Sequence, residues 1–492
     1  MTLRGADLRF ILPMDVQTAA VITRSDEPRL NGIVQGLQRA GIGVSSGGPA
    51  PGDGGSSHVV VAAAADADRA LQLDAGVHLL LGRPSNVALS RTGHRGQAVL
   101  VRGDLARPVT IVPVRPTSGL RHYLSSVSTP PSVSARIRSR LAIGISHAPL
   151  PLERLIPAAG LVTVVVKGRD HPCLPQHVKA AAQLLGVSEE LDWVLRLGTG
   201  DDLQRAVFFL LLDGRAQWVL KFSRVAGANE SFIRDETGLA LAQDCAAAAA
   251  HAPEHLGRME ISGLAASLET AAPGRPLLEL LQRQPLTLID SIAEWIIRVG
   301  HETATPASAL QFERSRLLRE VTPRWRGSGV RSDLVENLLP VPGVLQHNDL
   351  GSWNIVTDGR GFVAVDWESA KPIGLPLWDL LYFLADVLAR MEGPANVDIL
   401  LDRTLRLFAG GSQHSLILFR WVREAVSTLR IPPQAVGGLA TLCWMQHGLS
   451  ADSRASALGG APMAPAGHLA LLAPQWLAHP SLGPTWSSWL PE

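Results

Sequence analysis

Between Leu345 and Trp367 the chain reads LQHNDLGSWNIVTDGRGFVAVDW, setting one His, three Asp and two Asn beside a short apolar run. Asp349 and Asn354 lie five residues apart in a stretch that holds Gly351 and shows no helical apolar face, so a loop is expected there. Asp366 follows the strand-like FVAV, seventeen residues after Asp349. Asp358, in TDGRG, reads as the turn of a hairpin that would carry Asp366 back toward Asn354. Carboxylate and amide oxygens are hard ligands. A cluster of two or three with open positions suits Mg2+, which keeps few protein ligands and completes its shell with water and phosphate oxygens. The pattern is that of half a metal site, with nucleotide phosphates as the other half.

Phosphoryl transfer to an alcohol asks for more than a metal. A carboxylate must accept the hydroxyl proton, and Asp349 is the spare one. A cation must sit on the phosphates, and WVLKFSR supplies Lys221 at the end of a strand. ESFIRDETGLALAQ reads as a helix whose Glu236 is the expected partner of Lys221, with Glu230 as its rival. Backbone amides should cover the phosphates. RLGTGDD places Gly198 and Gly200 in a turn where such close approach is sterically possible.

The order Lys221, Glu236, His347-Asn348-Asp349 to Asn354, then Val365-Asp366-Trp367-Glu368 resembles the aminoglycoside phosphotransferase and choline kinase group, relatives of the protein kinases. The resemblance covers about residues 180 to 475. It implies an α+β two-lobed protein-kinase-like fold with an antiparallel N-lobe sheet and a helical C-lobe. It implies Asp349 as the catalytic base, Asn354 and Asp366 as Mg2+ ligands, and Lys221 with Glu236 on the phosphates of ATP, GTP not being excluded. In PLWDLLYFL, Asp379 would brace the catalytic loop from below, and His347 would hydrogen-bond loop backbone rather than move protons. The hinge would lie in SLETAAPGRPL, with Ser267, Glu269 and Ala271 near the adenine and Pro273-Gly274 as the following turn. Asn348 stands where the family more often has Gly, a mild change because Asn tolerates a left-handed backbone.

These residues need a frame. At 492 residues the chain is too long for one ordinary core, and two or three domains are expected. Residues 1–145 read as a small α/β domain. RFILPM, HVVVAAA, VHLLLG, AVLVRG and VTIVPV are compact apolar runs suited to a covered sheet, and RLNGIVQGLQRAG between the first two is helical. GIGVSSGG has the wrong spacing for a dinucleotide fingerprint. Residues 146–275 would hold a linking strand and helix, GLVTVVVKG and HVKAAAQLLGV, and then the N-lobe. There Asp213-Gly214 between two apolar runs marks a hairpin. Residues 276–492 would form the helical lobe.

Composition narrows the partners. A formal net charge of +1 gives no field to recruit nucleic acid or an anionic membrane. Cys173, Cys245 and Cys443 are far apart, which argues against a zinc knuckle or disulfide framework and for a cytoplasmic home. The first residues do not read as a signal peptide, and no run reaches the ~18 apolar residues of a membrane helix. Beyond Asp386, Arg390, Arg403, Arg406, Arg420, Arg423 and Arg430 offset the carboxylates. The expected acceptor is therefore a neutral or anionic hydroxyl compound rather than a strong polycation: a sugar, a sugar derivative or another small alcohol, with amino alcohols and aminoglycoside-like compounds in the wider class. The competing expectation is a nucleotide-binding scaffold without turnover, whose N-terminal domain binds a partner.

Overall fold

The computed structural model describes residues 7–127 apart from 16, 23–27, 47–57, 74, 83, 85–88, 90–91 and 106; residues 160–198 apart from 168–173 and 188–190; residues 205–457 apart from 284–285, 324 and 326–332; and residues 467–483 with 486. The chain forms two compact units. The first comprises Met1–Phe232 and His255–Ala271, the second Ile233–Glu254 and Ala272–Glu492.

In the first unit, twelve strands among the described residues share one sheet. They are β1 (Thr18–Ile22), β2 (Gly43–Ser46), β3 (His58–Ala63), β4 (Val77–Leu81), β5 (His94–Asp104), β6 (Arg107–Pro113), β7 (Leu161–Lys167), β8 (Asp192–Arg196), β9 (Ala206–Leu212), β10 (Arg215–Phe222), β11 (His255–Ile261) and β12 (Leu264–Thr270). Their spatial order is β11-β12-β10-β9-β8-β6-β5-β7-β4-β3-β1-β2. Strands β1 to β4 pair in parallel. Every later pairing is antiparallel. The parallel strands β3 and β4 are buried along nearly their whole length, as strands covered on both faces must be. The turn between β9 and β10 puts Asp213 at φ 51° and Gly214 at φ 76°, the two left-handed positions that a tight hairpin requires.

Two expectations change here. RFILPM is not a strand: Asp7–Ile11 forms a 3-10 helix that buries Leu8, Phe10 and Ile11. An unbroken apolar run carries no period, so it cannot distinguish the two. Nor does residue 145 separate two sheets. β7, which follows it, lies between β4 and β5, and β8 pairs with β6. The N-terminal segment also packs onto the strand that carries Lys221. Phe10 meets Phe222 at a ring distance of 4.8 Å, and Arg224 binds Asp7 through Nε at 3.1 Å and Nη2 at 2.6 Å.

The second unit contains the helix Glu230–Gln243, nearly all of it, and the helices Leu286–Glu302, Trp378–Met391, Val397–Phe408, Ser415–Thr428 and Val436–Ala457. Its short strands are β13 (Arg275–Pro276), β14 (Val344–Gln346), β15 (Ile355–Thr357), β16 (Phe362–Ala364) and β17 (Lys371–Gly374). They pair as β13-β15-β16 and β14-β17. From Leu380 to Ala389 the helix Trp378–Met391 is buried all round, which makes it the axis of this unit's core. No helix of the described residues is long and apolar enough to cross a membrane.

Candidate active site

The loop from His347 to Asn354 leaves β14 and is held from beneath by the helix Trp378–Met391. Asp379, in the first turn of that helix, accepts the backbone N–H of His347 at 2.7 Å and of Asn348 at 2.8 Å. Asn348 takes φ 66°, a left-handed value that Asn adopts at lower cost than most residues. Burial pushes the Asp379 carboxyl above its usual pKa, while His347 and the two amide donors pull it back. His347 is itself buried, and burial holds its imidazole below the usual value, so the ring is neutral at pH 7. Its Nε2 lies 3.0 Å from the Val365 carbonyl oxygen, which makes Nε2 the protonated nitrogen. The histidine thus ties the loop to the end of β16 and is not arranged to shuttle protons.

Asp349 is half-buried and held at both oxygens. Asn354 Nδ2 donates to Oδ2 at 3.1 Å and to the Asp349 backbone carbonyl at 2.9 Å, and the Tyr382 hydroxyl donates to Oδ1 at 3.4 Å. The loop closes tightly because Gly351 leaves room: a Cβ there would come within 2.3 Å of the Trp353 ring.

The hairpin β15–β16 pairs Ile355 with Ala364, and the Val365 N–H donates to the Asn354 carbonyl at 2.8 Å. Asn354 and Asp366 therefore flank the open end of one short hairpin. At the other end, Asp358 accepts the N–H groups of Arg360 and Gly361 and shapes the turn. Asp366 adopts φ 67°, an uncommon value for a non-glycine residue. The helix Glu230–Gln243 presses on this segment, since a Cβ on Gly238 would sit 2.0 Å from the Trp367 carbonyl oxygen.

The donor set fits Mg2+. Asn354 commits Nδ2 to Asp349, so Oδ1 is the atom its amide offers to a cation, and Asp366 adds a carboxylate one residue beyond the paired Val365. Two hard oxygens leave most of an octahedral shell to water and phosphate. Among the described residues no group of three or more His, Cys, Asp or Glu side chains is placed to hold a metal, as expected where only Asn and one Asp would ligate.

In the first unit, Lys221 Nζ lies 2.8 Å from Glu269 Oε2, and both side chains are buried. Their strands run antiparallel in adjacent positions, with Lys221 opposite Ser267 and Val219 opposite Glu269. The carboxylate beside Lys221 within this unit is Glu269. Glu236 belongs to the second unit and is half-buried, while the buried acid of its helix is Asp235.

Ser267 and Glu269 lie inside β12, which is paired with β10 on one side and β11 on the other. The Ala271 N–H donates to the Gln217 carbonyl. Ala271 is the last residue of the first unit. Gly274 follows at φ 110°, with no room for a Cβ against the Thr357 carbonyl. Gly198 has φ 73°, a value that favours glycine, and Gly200 lies outside the described residues.

Sequence reading missed Glu269 as an ion-pair partner, and it missed Tyr382 altogether. Tyr382 stands three residues after Asp379, hence on the same helix face, and that spacing was the available signal.

Residues 198–412 match the model of the Phosphotransferase enzyme family, APH, so this segment is that of a small-molecule phosphotransferase. No curated protein matches the chain in sequence. Among solved structures, similarity extends to a thermostable mutant of aminoglycoside phosphotransferase APH(4)-Ia in ternary complex with ADP and hygromycin B, at 16% identity and TM-score 0.37, over 61% of this chain and 96% of that one. A glucosamine kinase in complex with glucosamine, ADP and inorganic phosphate is similar at 15% identity and TM-score 0.37, over 62% and 84%. The apoenzyme of macrolide 2'-phosphotransferase MphH from Brachybacterium faecium is similar at 19% identity and TM-score 0.35, over 61% and 97%.

Proposed function

We propose that this phosphotransferase-family chain moves the γ-phosphoryl group of ATP to a hydroxyl of a small molecule in the cytoplasm. The observation that carries the reading is Asp349, a half-buried carboxylate held at both oxygens, one loop away from the Asn354 and Asp366 pair. Asp349 orients the acceptor hydroxyl and accepts its proton. Asn354 and Asp366 hold Mg2+, which when bound neutralises charge on the nucleotide phosphates. Lys221, kept in place by Glu269, supplies a fixed cation for phosphate oxygens. GTP fits the same groups. The chain contributes mainly placement and electrostatic stabilisation.

The charge pattern of the helical region supports a neutral acceptor such as a sugar or sugar derivative. Arg390 pairs with Asp386, Arg403 and Arg406 with Glu392, Arg406 also with Asp402, and Arg420 with Asp290. These pairs cancel locally and supply no acidic wall for a polycation, which keeps neutral and anionic acceptors together in the test. Amino alcohols and aminoglycoside-like compounds belong to the same test.

The experiment is incubation with γ-labelled ATP, Mg2+ and a panel of sugars, amino alcohols and aminoglycosides, alongside a thermal shift with Mg·ATP. Label transfer to a hydroxyl compound supports the reading. A clear thermal shift with no transfer and no slow ATP hydrolysis would replace it with a binding scaffold.

A further inference from the structure

We propose that Tyr382 is a positioning residue for Asp349, the middle point of a three-point rail by which one helix face holds the whole catalytic loop; this rests on the function just proposed. The rail is visible in the spacing. Asp379, Tyr382 and Asp386 stand at intervals of three and four residues, so they share one face of the helix Trp378–Met391. Asp379 takes the backbone N–H groups of His347 and Asn348, the Tyr382 hydroxyl takes the Asp349 carboxylate, and Asp386 takes the Ser352 N–H at 2.9 Å. The first and last points grip the backbone. The middle one grips the side chain that is to accept the proton.

The phenol is itself clamped. Tyr382 is 3% exposed. Its ring stacks on His447 with centroids 3.9 Å apart and planes at 22°, and it meets Trp353 edge-on at 5.9 Å and 85°. Trp353 lies in the catalytic loop and His447 on the helix Val436–Ala457, so the ring is gripped by elements far apart in the chain. An O–H donor aimed at a carboxylate favours the charged form and limits its rotation. With Asn354 on Oδ2 and Tyr382 on Oδ1, the Asp349 carboxylate is held in one orientation and keeps a lone pair of each oxygen for the incoming hydroxyl.

The test is Tyr382→Phe, which keeps the ring stack and deletes the hydroxyl. Mg·ATP alone serves as probe through its slow hydrolysis, and the best acceptor of the panel is added where one is found. The expected result is a fall in kcat of about tenfold with KM for Mg·ATP within about twofold, a split that a merely structural loss would not give. Aspartate labelled with 13C at the carboxyl carbon gives a readout free of turnover. With Asp349→Asn identifying the signal, the Asp349 resonance at fixed pH shifts and broadens in Tyr382→Phe as the carboxylate loses its phenol partner and gains rotational freedom. An unchanged resonance together with native kcat overturns the positioning role. A changed resonance in a protein that turns nothing over leaves Tyr382 in its role and removes the proposed function instead.

Discussion

The sheet region of the first unit and the loop around Asp349 in the second hold their acids in different ways. In the sheet, Glu269 faces Lys221 and Asp7 faces Arg224, each a carboxylate against a cation at 2.8 Å and 2.6 Å. In the catalytic loop, Asp349 is held by an amide and a phenol, and Asp379 by two backbone N–H groups. A cation cancels the charge and locks the strand that bears it. A neutral donor fixes geometry and leaves the charge available for a proton or a metal. Asp386 uses both devices, Arg390 on one side and the Ser352 N–H on the other, and its task is structural.

This contrast sorts the expected effects of substitution. Asp349→Asn keeps the volume and the loop but removes the proton acceptor. We expect kcat to fall by about 1,000-fold, within the range for a lost general base, with Mg·ATP affinity within about threefold by calorimetry. Native turnover in that variant would show that Asp349 is not the base. Asp366→Ala should raise the Mg2+ concentration needed for half-maximal rate by more than about tenfold, because it removes one of the two proposed protein ligands. An unchanged Mg2+ requirement would remove Asp366 from the metal site.

Glu269→Gln tests the other half of the contrast. It leaves Lys221 buried beside a neutral amide, and a broken buried pair costs about 3 kcal/mol. Denaturant titration should show that loss, and the double change with Lys221→Met should recover most of it. A loss under about 0.5 kcal/mol would mean that the pair is solvated in practice. Gly238→Ala is smaller and its sign is instructive. In an open helix the change would stabilise by about 1 kcal/mol. Here the added methyl meets the Trp367 carbonyl, so we expect a net loss of about 1–2 kcal/mol and reduced turnover, since Asp366 is the preceding residue.

The gentlest probe is pH. Burial lowers His78, His122 and His468 to about 4 and His177 to about 3. Such groups stay neutral in the folded protein while the unfolded chain takes up protons below about 6.5. Stability is then fully present above about pH 6.5 and declines as pH falls toward 4. Three of these four histidines lie in the first unit, so its unfolding should be the more acid-sensitive, as tryptophan fluorescence of Trp193→Phe against the parent would reveal.

Local geometry was legible from the letters. The His347-x-Asp349-x4-Asn354 spacing, the Asp358 turn and the Asp213-Gly214 hairpin each depend on residues within a few positions of one another, where backbone geometry and side-chain reach are nearly fixed by order along the chain. What only tertiary structure decided are pairings across distance. Glu269 meets Lys221 because β12 docks on β10 in one register, β7 lies between β4 and β5, and Tyr382 reaches Asp349 because a helix seats beneath the loop. Register and helix seating follow from the packing of whole faces, which a run of residues read in order does not contain.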